Sequence, residues 1–200
     1  MPYSTPFHLV SVNGSPRAPS RTGSLLQVIN DALSVRLPVR HSAIDLAGEA
    51  SALLAAPTRD RLSPAGESLV RTVEAADVLI LGTPVYRGSY SGLFKHLFDL
   101  VGFDALAGKV AVLAATGGSP LHGLVTEHQL RPLLGFFGTY TVPTTVYATE
   151  ADFTDYRLTN PAIGARAERA VSEAARLLDR RALVAPLTVA PPAVTLVQTA

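Results

Sequence analysis

Cysteine is absent from the 200 residues. Disulfides, thiol nucleophiles and thiolate metal sites are therefore excluded. Charge is scarce: 17 Lys and Arg stand against 16 Asp and Glu, a formal net charge of +1. A chain so close to neutral has no electrostatic case for nucleic acid or an anionic membrane. No apolar run free of polar residues reaches the length of a membrane span. Met1 to Pro6 has neither a basic n-region nor a long apolar h-region, so a cytoplasmic protein is expected. Two hydrolytic signatures, G-x-S-x-G and H-E-x-x-H, are missing. His122 and His128 lie six apart, a poor spacing for a metal pair on a regular helix, and no metal is expected.

What is present is apolar: 48% of residues are hydrophobic, which excludes disorder for most of the length. One substantial α/β domain over residues 1–181 is expected, followed by an apolar, Pro-containing tail over 182–200. The mean hydropathy of +0.26 fits either a large core or a surface partly covered by another subunit. A homodimer or homotetramer is expected.

The order of elements sets the fold class. Phe7–Val12, Val39–Ile44, Val78–Leu81, Val110–Ala114 and Tyr140–Tyr147 read as strands. The first, third and fourth are nearly continuous in apolar residues, as strands covered on both faces of a parallel sheet are. Helical spacing lies between them. Leu25 to Leu33 forms one helix, and Ser63-Pro64 caps and opens another that carries Leu69, Val70, Val73 and Ala76. Leu93, Phe94, Leu97, Phe98 and Val101 form a third stripe, and a last helix opens at Asn160-Pro161. Five strands with helices between them predict a doubly wound three-layer sandwich, whose ligand sits beyond the carboxyl ends of the strands.

Three loops leave those ends. The first, Asn13–Arg21, joins the first strand to the first helix. Gly14 permits a tight turn, Ser15, Ser20, Thr22 and Ser24 add neutral donors, and Arg17 and Arg21 add charged ones. With backbone N–H groups at the helix start, this suits a phosphate. The loop lacks the lysine of a Walker loop and the spaced glycines of a dinucleotide fingerprint. An ordinary capped polar loop is the alternative. The second loop, Gly82–Gly92, brings backbone amides, Pro84 and two tyrosines, an edge that can hold a flat heterocycle; a strand-to-helix turn with a serine or tyrosine cap is the alternative. The third, Thr116-Gly117-Gly118-Ser119, offers close backbone approach and hydroxyls. A phosphate at one end and a flat ring at the other suit FMN.

Gly14-Ser15-x-Arg17-x-x-Ser20, Thr83-Pro84-Val85-Tyr86 and Ala115-Thr116-Gly117-Gly118 resemble, in order and spacing, the signature loops of the NAD(P)H-dependent FMN reductases. The resemblance spans residues 7 to 180 and is strongest toward the branch serving two-component alkanesulfonate and methanesulfonate monooxygenases. Tyr86 to Tyr90, Gly92 to Leu100 and Asp152 to Tyr156 carry that part of it. It implies a flavodoxin-like sheet of order 2-1-3-4-5. It also implies hydride transfer from NADH or NADPH to FMN, with FMNH2 released to a partner monooxygenase. By the same resemblance, Ser15, Arg17, Ser20, Arg21 and Thr22 hold the FMN phosphate. Pro84, Val85, Tyr86 and Arg87 line the ring, and Thr116, Gly117, Gly118 and Ser119 close its other side. An inserted residue in the fourth helix, here His128, would form a π-bulge at a subunit interface, where related members carry Tyr.

The cofactors would carry the redox chemistry, so no protein nucleophile or dedicated acid is expected. Asp45, Glu49 and Asp99 read as solvated or capping carboxylates. The same loops would serve an enzyme that retains FMN and reduces quinones, azo dyes or metal oxyanions. A flavodoxin-type electron carrier would need an acidic surface, which the net charge of +1 opposes.

Overall fold

The computed structural model of the chain describes residues 5–183. Its strands are β1 (Phe7–Asn13), β2 (Val39–Asp45), β3 (Val78–Pro84), β4 (Val110–Gly117), β5 (Tyr140–Thr141) and β6 (Val146–Thr149). They form a parallel sheet of order β2-β1-β3-β4-β5, with β6 also paired to β4. A separate antiparallel hairpin joins β7 (Phe153–Thr154) and β8 (Arg157–Leu158). The helices are α1 (Arg21–Arg36), α2 (Leu46–Leu54), α3 (Pro64–Glu74), α4 (Gly92–Leu100), α5 (Arg131–Phe136) and α6 (Pro161–Leu183). Among the described residues, no helix is long and apolar enough to cross a membrane.

The period of two along the strands splits their side chains between two cores. Val10, Val12, Leu79, Leu81 and Leu113 face one core with Phe94, Leu97 and Phe98 of α4. Leu9, Val78, Ile80, Val110 and Val112 face the other with Leu25 and Ile29 of α1 and Ala167, Ala170 and Ala174 of α6. Both faces being covered explains the continuous apolar runs of β1, β3 and β4.

The expected fifth strand, Tyr140–Tyr147, is two short segments. Pro143 has no N–H to give the ladder. Val142 N still donates to Ala111 O of β4 (2.9 Å), but the groups around the proline are claimed by other partners. Thr144 N donates to Glu173 Oε2 (2.8 Å), and Arg131 donates to the carbonyls of Val142 (3.0 Å) and Pro143 (3.2 Å). Arg166 Nε donates to the Thr145 carbonyl (2.5 Å). Capping follows local rules: Ser63 Oγ accepts from Gly66 N (3.1 Å) at α3, and Asp45 caps α2, an element the hydrophobic pattern did not separate. Helix α6 takes in Ala182 and Leu183 from the expected tail; residues 184–200 lie outside the described residues.

The parallel register aligns the strand ends. Asn13 pairs with Gly82, Gly82 with Ala114, Pro84 with Thr116, and Gly117 with Thr149. The three loops therefore start from one rim, at the β1–β3 switch point.

Candidate active site

Asn13, at the end of β1, ties the first loop to its own far end. Its Nδ2 donates to Ser20 Oγ (3.1 Å), and its Oδ1 accepts from Ser15 N (3.1 Å). Ser20 Oγ also accepts from Gly23 N (3.0 Å), capping α1. The first intrahelical bond is Ser24 N to Ser20 O, so the N–H groups of Arg21 and Thr22 precede it at the positive end of the helix. Ser15 is buried, and its hydroxyl accepts from Arg17 N and donates to Arg17 O (both 3.1 Å). It therefore shapes the loop, while Arg17 is exposed.

The second loop begins later than expected, because β3 continues to Pro84. Val85 N donates to Thr116 O (2.7 Å), stitching this loop to the third. Tyr86 and Ser89 then bond each other across a two-residue turn, with Arg87 at φ +52° and Gly88 at φ +79°. Both values match a type I′ turn. Ser91 braces the whole arrangement: Oγ donates to Gly14 O (2.6 Å) and accepts from Phe94 N (3.1 Å), and its N–H donates to Thr83 Oγ1 (2.9 Å). The serine cap of this turn was legible in the sequence; the bonds to Gly14 and Thr83 were not.

In the third loop, Thr116 is buried with its hydroxyl 2.7 Å from that of Thr22, a bridge from the sheet to α1. Gly117 approaches Tyr147 so closely that a Cβ there would lie 2.3 Å from Oη. That hydroxyl donates to the Ser119 carbonyl (2.6 Å). Burial pushes the Tyr147 phenol up from its ordinary value, so it stays a donor. Ser119 Oγ accepts from Leu121 N and opens the following turn.

These loops enclose a cleft of about 250 Å³. Ser15, Arg17, Ser20, Arg21 and Thr22 line one side of it; Pro84, Val85 and Tyr86 line a second, and Thr116, Gly117 and Gly118 a third. Of the expected residues, Arg87 and Ser119 stand outside the lining. Pro19, Glu150 and Tyr156 are in it and were not singled out. Arg21 is ion-paired with Glu150, and its guanidinium lies 5.6 Å from the centre of the Tyr156 ring. Hydroxyls, guanidinium groups and a helix N-terminus make one end of the cleft suited to a phosphate. Backbone edges and a glycine without room for a Cβ make the other suited to a flat ring.

His128 is exposed, in a π-helical turn over Thr126–Leu130 that leads into α5. Glu127 pins this turn. Its carboxylate accepts from Arg131 (2.6 and 3.0 Å) and Thr145 Oγ1 (3.1 Å), and the Arg131 charge holds it below the usual carboxylate range. Gln129 Oε1 accepts from Ser89 Oγ (3.1 Å), joining the π-turn to the turn beside Tyr86. Among the described residues, no cluster of three or more metal-ligating side chains occurs.

Comparison with known proteins gives this geometry its family. The family model described as NADPH-dependent FMN reductase matches residues 7–153. The chain belongs to the NADPH-dependent FMN reductase family. The reductase is 47% identical over 174 residues to "NADH-dependent FMN reductase SfnF" of Pseudomonas fluorescens, covering 87% of this chain and 93% of that protein. It is 43% identical over 177 residues to "FMN reductase (NADPH)" of Pseudomonas aeruginosa, covering 88% and 95%. Among solved structures, an oxidoreductase from Corynebacterium diphtheriae superposes with a TM-score of 0.78 at 33% identity, covering 88% of this chain and 99% of that one. In family terms the reductase is an oxidoreductase of NAD(P)H and FMN.

Proposed function

We propose that the chain reduces FMN with a hydride from NADH and releases FMNH2 to a separate, sulfonate-type flavin-dependent monooxygenase. The observation that carries this reading is the exposure of the cleft rim. Arg17, Tyr86, Gly118, Glu150 and Tyr156 are all exposed, and Tyr86 keeps 43% of its surface. A flavin seated there keeps a face open to a nicotinamide and a path back to solvent. NADH is named because relatives at 47% and 46% identity are called NADH-dependent. The sulfonate assignment rests on the sequence resemblance in the Tyr86–Tyr90 and Asp152–Tyr156 segments.

In this reading Ser20, Arg17, Arg21 and the first N–H groups of α1 hold the phosphate. Ser15 keeps the loop in shape for them. Pro84, Val85 and Tyr86 support one edge of the ring, with Arg87 at its mouth. Thr116, Gly117 and Gly118 support the other, with the Ser119 carbonyl fixed by Tyr147. Bound FMN supplies the hydride acceptor. The chain holds the two rings at reacting distance and leaves the outer face open for exchange.

The test is nicotinamide oxidation by purified protein with and without added FMN, alongside any flavin that co-purifies. Saturable oxidation that requires added FMN, faster with NADH than NADPH, is expected. A yellow protein that oxidises NADH only with a quinone or azo acceptor would replace this reading with a flavin-retaining one.

His128 belongs to the same proposal. It stands exposed on a π-turn linked through Gln129 and Ser89 to the turn carrying Tyr86, so a subunit contact there would reach the ring side of the cleft. Replacing His128 with Ala is expected to change the oligomeric state by light scattering or the flavin retained through gel filtration. If both match the parent, His128 has no such role.

A further inference from the structure

The phosphate end of the cleft contains a carboxylate. Glu150 opens a single tight helical turn, Glu150–Asp152, directly after β6, and pairs with Arg21. The unit that carries it is braced. Thr149 N and Oγ1 donate to Asp152 Oδ2 (2.6 and 2.8 Å), and Asn160 Nδ2 donates to Asp152 Oδ1 (2.6 Å). The β7–β8 hairpin follows, and its turn residues Asp155 and Tyr156 have φ of +47° and +62°. Two non-glycine residues in the left-handed region cost energy, and this turn brings Tyr156 to the Arg21 guanidinium. An anion and an aromatic ring thus converge on a cation that lines the cleft.

The pair itself is open to water: the side chains of Arg21 and Glu150 keep 38% and 67% of their surface. Exposed pairs are weak and replaceable. A phosphate monoester carries roughly −1.5 to −2 charge near neutral pH, against which Arg17 and Arg21 set two positive charges and Glu150 subtracts one. Glu150 therefore lowers the potential that the phosphate meets, and it occupies one donor of Arg21, Nη2, that a phosphate would take.

We propose that Glu150 is an affinity-setting residue that competes with the flavin phosphate for Arg21, while Tyr156 keeps the guanidinium in place through the exchange. This rests on the reading of the cleft as an FMN site. A chain that hands on its flavin needs a hold weak enough to release, and a built-in rival for the phosphate supplies one without altering the ring side.

Fluorescence titration with FMN and with riboflavin, which lacks the phosphate, isolates the effect. Glu150→Gln is expected to lower the Kd for FMN by roughly five-fold, the scale of one exposed charge contact, and Glu150→Lys to lower it further. Riboflavin is expected to bind both variants as it binds the parent. In an Arg21→Gln background the Glu150→Gln gain is expected to vanish. The proposal is overturned by an unchanged or weaker FMN Kd in both variants. It is equally overturned by riboflavin gaining as much as FMN, or by a gain that persists without Arg21. A parent that prefers riboflavin or binds both equally removes the phosphate role of this end. A parent that binds neither flavin removes the FMN reading itself and this role with it.

Discussion

Replacing Phe94 with Ala is expected to destabilise the fold by about 3–5 kcal/mol, the cost of emptying a fully buried aromatic site. For a chain of this length that corresponds to a Tm lower by roughly 10 °C. Phe94 has no exposed surface, and its ring centre lies 4.8 Å from that of Phe98 and 6.1 Å from that of Tyr90. It also lies directly beneath the first loop: a Cβ on Gly14 would come within 2.7 Å of its Cδ2. The loss should therefore appear twice, as a lower urea midpoint and as weaker FMN binding in the protein that remains folded. Val35→Ala is the surface control. That residue is 88% exposed, and the substitution should cost no more than about 0.5 kcal/mol. Equal midpoints for the two variants would remove Phe94 as the support of the loop.

Gly117→Ala is expected to raise the Kd for FMN by roughly ten-fold or more, in line with overpacking costs of about 1–3 kcal/mol. The new methyl would sit 2.3 Å from Tyr147 Oη, and that hydroxyl is held by the Ser119 carbonyl. Either the ring or the third loop has to move. Taking the hydroxyl away separates the two causes, since the nearest ring atom, Cζ, is then 3.3 Å from the methyl. The double variant Gly117→Ala/Tyr147→Phe is expected to recover much of the affinity. A double variant no better than Gly117→Ala alone would show that the glycine matters for its backbone and not for its contact with Tyr147. At Gly135, where a Cβ meets nothing within 4 Å, the same substitution should leave FMN binding unchanged.

The parts of the molecule legible in the sequence are those set by neighbours in the chain. β1, β3 and β4 showed as apolar runs because helices cover both faces. Ser63-Pro64 and Asn160-Pro161 announced helix starts through local chemistry. The three loops stood out because small and hydroxyl residues follow buried strands. What escaped is decided across long separations. The fifth strand divides because Arg131 and Arg166 take the Val142, Pro143 and Thr145 carbonyls and Glu173 takes the Thr144 N–H, and only Pro143 signals this locally. Glu150 meets Arg21 across 129 positions, so neither residue's surroundings foretell the pair. Ser91 and Tyr147 look like ordinary polar residues until the folded chain puts Gly14 O and Ser119 O in front of them.

The divided fifth strand also changes what the edge of the sheet offers to another strand. A sheet edge invites another chain to add itself strand to strand, and long, regular edges are the hazard. Here the outer rail is two residues of β5, a proline-bearing gap, and four residues of β6. The gap offers an incoming strand no continuous row of donors and acceptors. Sheet extension is hindered on that side, and the regular edge of the sheet is the opposite one, the seven residues of β2.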